Sequence, residues 1–198
     1  MDFRINEIFY SLQGEGRHAG EAATFVRFSG CNLKCPFCDT RHEEGRMMSL
    51  EAIVAETRRN PSPLTVLTGG EPSLWITPEL ISALHEAGKY ISVETNGTHP
   101  LPDGIDWITL SPKIGMSAGG ERIVIPRADE IKVVNIGQPL DPYFNMPQRD
   151  DATLMYIQPC FTSDAAAYAA NVADTVGKIL ADPRWRLSAQ LHRYLQIS

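Results

Sequence analysis

The chain has 198 residues, 43% of them hydrophobic, which suits one domain with a substantial core and excludes a disordered chain. Its formal net charge of −6 argues against a nucleic-acid partner held through phosphates, although a small local basic pocket is still compatible with it. No stretch is long and apolar enough to span a membrane, and residues 1–4 do not open a basic-then-apolar leader, so the expectation is a cytoplasmic protein with no membrane partner.

In chain order, apolar and β-branched runs predict strands at 3–9, 23–28, 64–67, 90–94, 107–110, 130–134 and 154–157. Three segments predict helices. Residues 49–59 start on a Ser cap, 77–87 have Thr77 as cap and Pro78 in the first position with Gly88 as the stop, and 163–180 run from Ser163 and Asp164 to just short of Asp182-Pro183. The early alternation of strand and helix predicts a parallel sheet with right-handed crossovers. After Glu94 the helices give way to loops, and a closed eight-stranded barrel takes about 250 residues. The expected fold class is therefore α/β, an open and incomplete (β/α) barrel with few helices, forming one domain over 1–198. Chemistry in such sheets gathers at the C-terminal strand ends. The motifs fall there: Gly30-Cys31, Thr68-Gly69-Gly70-Glu71, Thr95-Asn96, Ser111-Pro112-Lys113 and Gln158-Pro159 each follow a predicted strand.

Three of the four cysteines, Cys31, Cys35 and Cys38, lie within eight residues in a C-x3-C-x2-C loop. In a reducing compartment such clustering points to metal or catalysis rather than disulfides. Three thiolates can hold three irons of a cubane and leave the fourth iron open for a ligand. A structural zinc is the rival, with His42 able to complete a Cys3His set. Cys160, more than a hundred residues away, is not needed as a ligand and reads as a small, half-buried thiol.

The cysteine loop, with the aromatic Phe37 just before its last thiol, resembles the signature of the radical S-adenosylmethionine (SAM) superfamily, and Thr68-Gly69-Gly70-Glu71-Pro72 resembles that superfamily's GGE motif. The resemblance implies a [4Fe–4S] cluster whose open iron binds SAM, and an open barrel of the radical SAM type. Zinc would explain only the first motif.

The match narrows further. Residues 9–16 (FYSLQGEG) and 25–32 (FVRFSGCN), with Cys38-Asp39-Thr40, Glu94-Thr95-Asn96-Gly97, Ser111-Pro112-Lys113, Gln158-Pro159 and the tail 186–192, are similar to the 7-carboxy-7-deazaguanine synthase family. The resemblance implies ring contraction of 6-carboxy-5,6,7,8-tetrahydropterin to 7-carboxy-7-deazaguanine with loss of ammonia, assisted by Mg²⁺. It also implies a flavodoxin- or ferredoxin-type reductant and a homodimer. The alternatives are an activase that makes a glycyl radical on a partner protein, and a zinc-stabilised interaction module.

Site residues follow from the same resemblance. SAM contacts map to Phe37, Cys38, Asp39, Gly70, Ser111, Pro112, Lys113, Gln158, Pro159, Cys160 and Phe161. Substrate contacts map to Leu12, Gln13, Gly14, Glu15, Arg27, Thr68, His192 and Ser198, the last through its terminal carboxylate. Mg²⁺ maps to Thr40, with Asp39 as the rival ligand. By residue type, Gln13 offers both hydrogen-bond functions, Glu15 accepts from ring N–H groups, and Arg27 forks a carboxylate from an otherwise apolar strand. Glu15 as a solvated turn residue, Arg27 as a surface arginine and Lys113 as a solvated lysine are the plain alternatives.

Overall fold

A computed structural model describes residues 1–38, 40 and 42–197. Asp39, Arg41 and Ser198 lie outside the described residues, and with them the expectations placed on Asp39 and Ser198.

The described residues form a nine-stranded sheet in the order β3-β1-β2-β4-β5-β6-β7-β8-β9. The strands are β1 (Asp2–Leu12), β2 (Ala22–Phe28), β3 (Arg46–Ser49), β4 (Leu64–Gly69), β5 (Tyr90–Thr95), β6 (Trp107–Leu110), β7 (Glu130–Asn135), β8 (Leu154–Pro159) and β9 (Arg186–Leu187). All seven strands of the sequence expectation are present, most of them one to three residues longer. β3 and β9, at the two edges, are too short and polar to have signalled themselves.

Helix α1 (Leu50–Arg58) is capped by Ser49, whose side chain accepts from Ala52 N, and α2 (Pro78–Glu86) by Thr77, with Pro78 at its first position. Asp164 caps α3 (Ala165–Ala181) by accepting from the N–H groups of Ala166 and Ala167. A short α4 (Leu191–Leu195) was not predicted. No helix among the described residues is long and apolar enough to cross a membrane.

From β2 to β9 every neighbouring pair is parallel, as expected, but β1 runs antiparallel to both β2 and β3. This reversal decides where the N-terminal motif goes. Leu12 pairs with Ala22 at the start of β2, so residues 13–18 leave β1 at the sheet end opposite the cysteine loop. From there they reach the far side of the sheet: Gly16 N donates to Ser188 Oγ (3.1 Å), just after β9 and seven places from β1, and Arg17 N to Glu130 Oε2 (2.9 Å) on β7, five places away. The sheet must therefore curl on itself, and the loop 13–18 seats across its inside as a plug.

Strand alternation gives the two faces different work. Val26, Phe28, Leu67, Ile91, Val93, Val133 and Ile157 are buried in one large apolar core. Their neighbours Phe25, Arg27, Thr68, Glu94, Lys132 and Gln158 line the inner cavity. In β1 a bulge between Ile5 and Glu7 changes the register, so that Ile5 faces Phe28 and Glu7, not Asn6, faces Arg27.

Gly16 has a φ of +64°, and a Cβ there would lie 2.1 Å from Glu130 Oε1. Gly177 in α3 has open space around it. Gly16→Ala should cost about 2 kcal/mol from the left-handed backbone and the clash. That lowers Tm by roughly 4–8 °C in a chain of this length. Gly177→Ala should instead stabilise by about 0.5–1 kcal/mol. Calorimetry of both variants checks this; equal melting would mean the loop is not seated on β7.

Candidate active site

One cavity of about 890 Å³ opens inside the curled sheet. At the C-terminal strand ends it is bounded by the cysteine loop, which packs on the Gly-Gly turn after β4. Gly70 N donates to Phe28 O (3.1 Å) and Glu71 N to Gly30 O (2.9 Å). A Cβ on Gly70 would lie 2.0 Å from Gly30 O, so only glycine permits this approach.

Beneath that contact Glu71, 1% exposed, accepts from Ser73 N (3.1 Å), Thr95 Oγ1 (2.6 Å) and Asn96 N (2.7 Å). Asn96 in turn donates to Asn32 in the cysteine loop (3.1 Å), and Asn32 to Thr98 (2.7 Å). The TGGE and ETNG motifs are thus one hydrogen-bonded scaffold under the thiols.

Cys31, Cys35 and Cys38 line the cavity together and also line a smaller one that His42 shares. Burial pushes the Cys31 thiol up. The Leu33 N–H at its sulfur works against this, while the charges of Glu71, Cys35 and Cys38 add to the rise. Such a thiol ionises readily only beside added positive charge, which iron supplies. Among the described residues no three His, Cys, Asp or Glu side chains close on a single ion. In a cubane each thiolate takes a different iron, so the donor set suits a cluster better than one zinc. His42 Nδ1 is buried without a partner and completes no such set.

Lys113 lies at the same end, donating to Ser111 O (2.8 Å) and Ser111 Oγ (2.6 Å). Burial lowers its pKa, with the charges of Cys35, Cys38 and Glu71 opposing. Arg27 is another cation on this cavity, with a side chain 23% exposed. Its Nε donates to Glu7 (2.8 Å), and its guanidinium lies 5.5 Å from the Phe9 ring centre. No hydrogen bond engages Nη1 or Nη2 among the described residues.

The same cavity carries a cluster of acidic groups around one lysine. Lys132 Nζ bonds both Glu15 and Glu94 Oε2, the latter at 2.9 Å. Glu94 Oε1 accepts from Gln13 Nε2 (2.8 Å), and Glu15 Oε1 from Gln158 Nε2 (3.1 Å) and Gln190 Nε2 (3.0 Å). Burial alone would raise Glu15, but the charge and hydrogen bond of Lys132 outweigh it and pull its pKa down to about 2. Burial would likewise depress Lys132, and Glu15, Glu94 and Glu130 together reverse this and raise it.

Most of the expected site residues therefore meet on one cavity. Leu12, Gln13, Gly14, Glu15, Arg27, Thr68 and His192 line it, as do Phe37, Thr40, Gly70, Ser111, Lys113, Pro159, Cys160 and Phe161. Two differ from expectation. Pro112 is buried and does not reach the cavity. Gln158 also lines it, but its amide is committed to Glu15 and to Ser188 Oγ (2.8 Å). Lys132, Glu94 and Gln190, which all line the cavity, carried no assigned role. Lys132 did carry a signal, the same one as Arg27, a lone cation in an apolar strand.

With the geometry in place, comparisons with known proteins decide the family. Residues 25–117 match the Radical SAM superfamily. The 7-carboxy-7-deazaguanine synthase of Bacteroides thetaiotaomicron is 52% identical over 98% of both chains. That of Nitratidesulfovibrio vulgaris is 38% identical over the full length of both. The chain belongs to the 7-carboxy-7-deazaguanine synthase family. The crystal structure of QueE from Escherichia coli agrees, with a TM-score of 0.78 at 29% identity over 95% of this chain and 93% of that one. The family is a radical SAM enzyme family, so a [4Fe–4S] cluster and SAM come with it. The activase and zinc-module alternatives find no support.

Glu71→Ala would strand three buried donors at about 1–3 kcal/mol each, for a loss of about 3 kcal/mol or more. Glu71→Gln, which still accepts, should lose less. Urea unfolding of the two variants measures this; a Glu71→Ala midpoint equal to the parent's would show that the scaffold does not depend on the carboxylate.

Proposed function

We propose that this chain is a radical SAM lyase that contracts 6-carboxy-5,6,7,8-tetrahydropterin to 7-carboxy-7-deazaguanine and releases ammonia. The observation that carries this reading is a single cavity lined both by the three-cysteine loop and by the Gln13–Glu15–Glu94 cluster. The substrate has a matching polarity, with one carboxylate and an edge rich in N–H donors.

In this reading Cys31, Cys35 and Cys38 hold the cluster. Gly70, Phe37, Ser111, Lys113 and residues 159–161 surround SAM. Cluster and SAM, held there, would supply the radical chemistry that the ring contraction needs. The protein's own residues bind, orient and insulate. Arg27 receives the substrate carboxylate, with Nη1 and Nη2 as the open fork. Gln13 and Glu15 receive the donor edge, and His192, packed over Gly14, covers that end. The reading extends to Mg²⁺ at Thr40, a flavodoxin- or ferredoxin-type reductant, a homodimer and a cytoplasmic location. It also treats 1–198 as one domain, which the continuous sheet from Asp2 to Leu187 supports.

Anaerobic incubation with the carboxypterin, SAM and a reductant should yield 7-carboxy-7-deazaguanine. Cys31→Ala, Cys35→Ala and Cys38→Ala should each lose cluster iron and all turnover, and Cys160→Ala should keep both. A brown, iron-loaded protein that leaves the pterin unchanged would sink the substrate assignment.

Arg27→Ala should weaken carboxypterin binding roughly ten- to a hundredfold, as expected for a lost bond between charged groups. Arg27→Lys should recover only part, since it lacks the fork. SAM affinity should hold in both. If SAM affinity drops as far as pterin affinity, Arg27 is not the substrate's anchor.

A further inference from the structure

The carboxylates of Glu15 and Glu94 come from opposite sides of the cavity and meet on one ammonium. Glu15 arrives on the plug after β1, Glu94 on β5 and Lys132 on β7. The lysine is 3% exposed, and both its carboxylate partners line the cavity. Two carboxylates this close would not both stay ionised without a cation between them. Each also accepts an amide donor on its other oxygen, from Gln13 on Glu94 and from Gln158 and Gln190 on Glu15.

We propose that Lys132 is the positioning residue of the substrate site, holding the carboxylates of Glu15 and Glu94 together and fixed so that they present acceptors to the bound heterocycle. The proposal rests on the carboxypterin reading. A wall of acceptors favours a ring edge that offers N–H donors at successive positions and disfavours one that offers carbonyls. Lys132 itself need not touch the ligand. Glu15 and Glu94 take up its charge, and its effect passes through them.

Among the described residues, the charged groups facing this centre include Glu15 from the plug, Glu94 from β5, and Glu130 and Lys132 from β7. His192 from the tail bears on Glu15, and Lys113 from beyond β6 bears on Lys132. Removing the lysine charge leaves the two carboxylates facing each other in a buried site, which raises the proton affinity of the pair. One of them then holds a proton near neutrality and no longer serves as a full acceptor. Binding in such a variant should tighten as pH rises and the pair ionises. In the parent Glu15 is ionised throughout the working range, so binding should be flat there. His192 is present in parent and variant alike, so the two profiles are compared with each other.

The test uses cluster-loaded protein with SAM, titrated anaerobically with the carboxypterin from about pH 5.5 to 8.5, a range spanning the ordinary histidine value and well above Glu15. Lys132→Met should bind roughly tenfold or more weakly at neutral pH and recover toward high pH, with SAM affinity and cluster iron unchanged. Lys132→Gln, which keeps a donor without charge, should behave the same way. Lys132→Arg should keep a flat profile. If both neutral variants fail to fold while Lys132→Arg folds and binds with a flat profile, charge at this position is again what the site requires. A neutral variant with parental affinity and a flat profile overturns the proposal, as does a Lys132→Arg that binds with the pH dependence expected of the neutral variants or fails to fold alongside them. A parent chain that does not bind the carboxypterin refutes the substrate reading instead.

Discussion

The buried ammonium of Lys132 is the constraint on which the rest of the site depends. A buried ion pair seldom adds net stability over an apolar replacement, because desolvation offsets the attraction. Its value here is geometric. Through Glu15 and Glu94 it ties the plug after β1 to the middle of the sheet, and Gln158 and Gln190 tie the same carboxylate to β8 and the tail. Among the described residues the two edges of the sheet do not pair, so strand-to-strand hydrogen bonds do not close it. The polar centre draws its walls together in their place.

That arrangement is possible because the two faces of the strands are chemically distinct. A parallel strand covered on both faces normally reads as an unbroken apolar run. Here the helix-facing residues keep that character, while the alternate positions on the inner face carry Arg27, Thr68, Glu94, Lys132 and Gln158. Register then sets the spacing: Arg27 pairs with Thr68 across β2 and β4, Glu94 with Thr109 across β5 and β6, and Val134 with Gln158 across β7 and β8. Backbone pairing thus places each charge relative to the next before any side chain has to reach.

Much of this was legible in the sequence. The strands, the three long helices with their Ser49, Thr77 and Asp164 caps, and the motifs at strand ends depend on local chemistry, and local chemistry is what a sequence records. The antiparallel setting of β1 and the bulge at Asn6 depend on long-range pairing, so nothing within 3–9 announced them. The same holds for the site. Cys31, Cys35 and Cys38 are a local pattern. The meeting of Glu15 with Lys132 spans 117 residues of chain and needs the curled sheet. Lys132 was open to the inference already applied to Arg27, that a single cation in an apolar strand must face a partner.

The two lone cations differ in a way that fits their places in the cavity. Lys132 is compact and wholly enclosed, with both its carboxylate partners supplied by the protein, so its charge is spent within the fold. Among the described residues Arg27 has one carboxylate partner, and the bulge in β1 is what supplies it by turning Glu7 rather than Asn6 toward β2. Glu7 takes the Nε side of the guanidinium, and the Phe9 ring carries the guanidinium from below. An arginine held in this way is steered without being consumed, because a carboxylate bound through Nε leaves an edge of the planar fork for a second one. Glu7 is half exposed, so its hold on Arg27 is screened by solvent and weak. In the proposed reading, an incoming carboxylate that reaches the fork with less solvent around it would gain more from the same cation, so the charge of Arg27 would pass to the ligand while Glu7 keeps the side chain aimed.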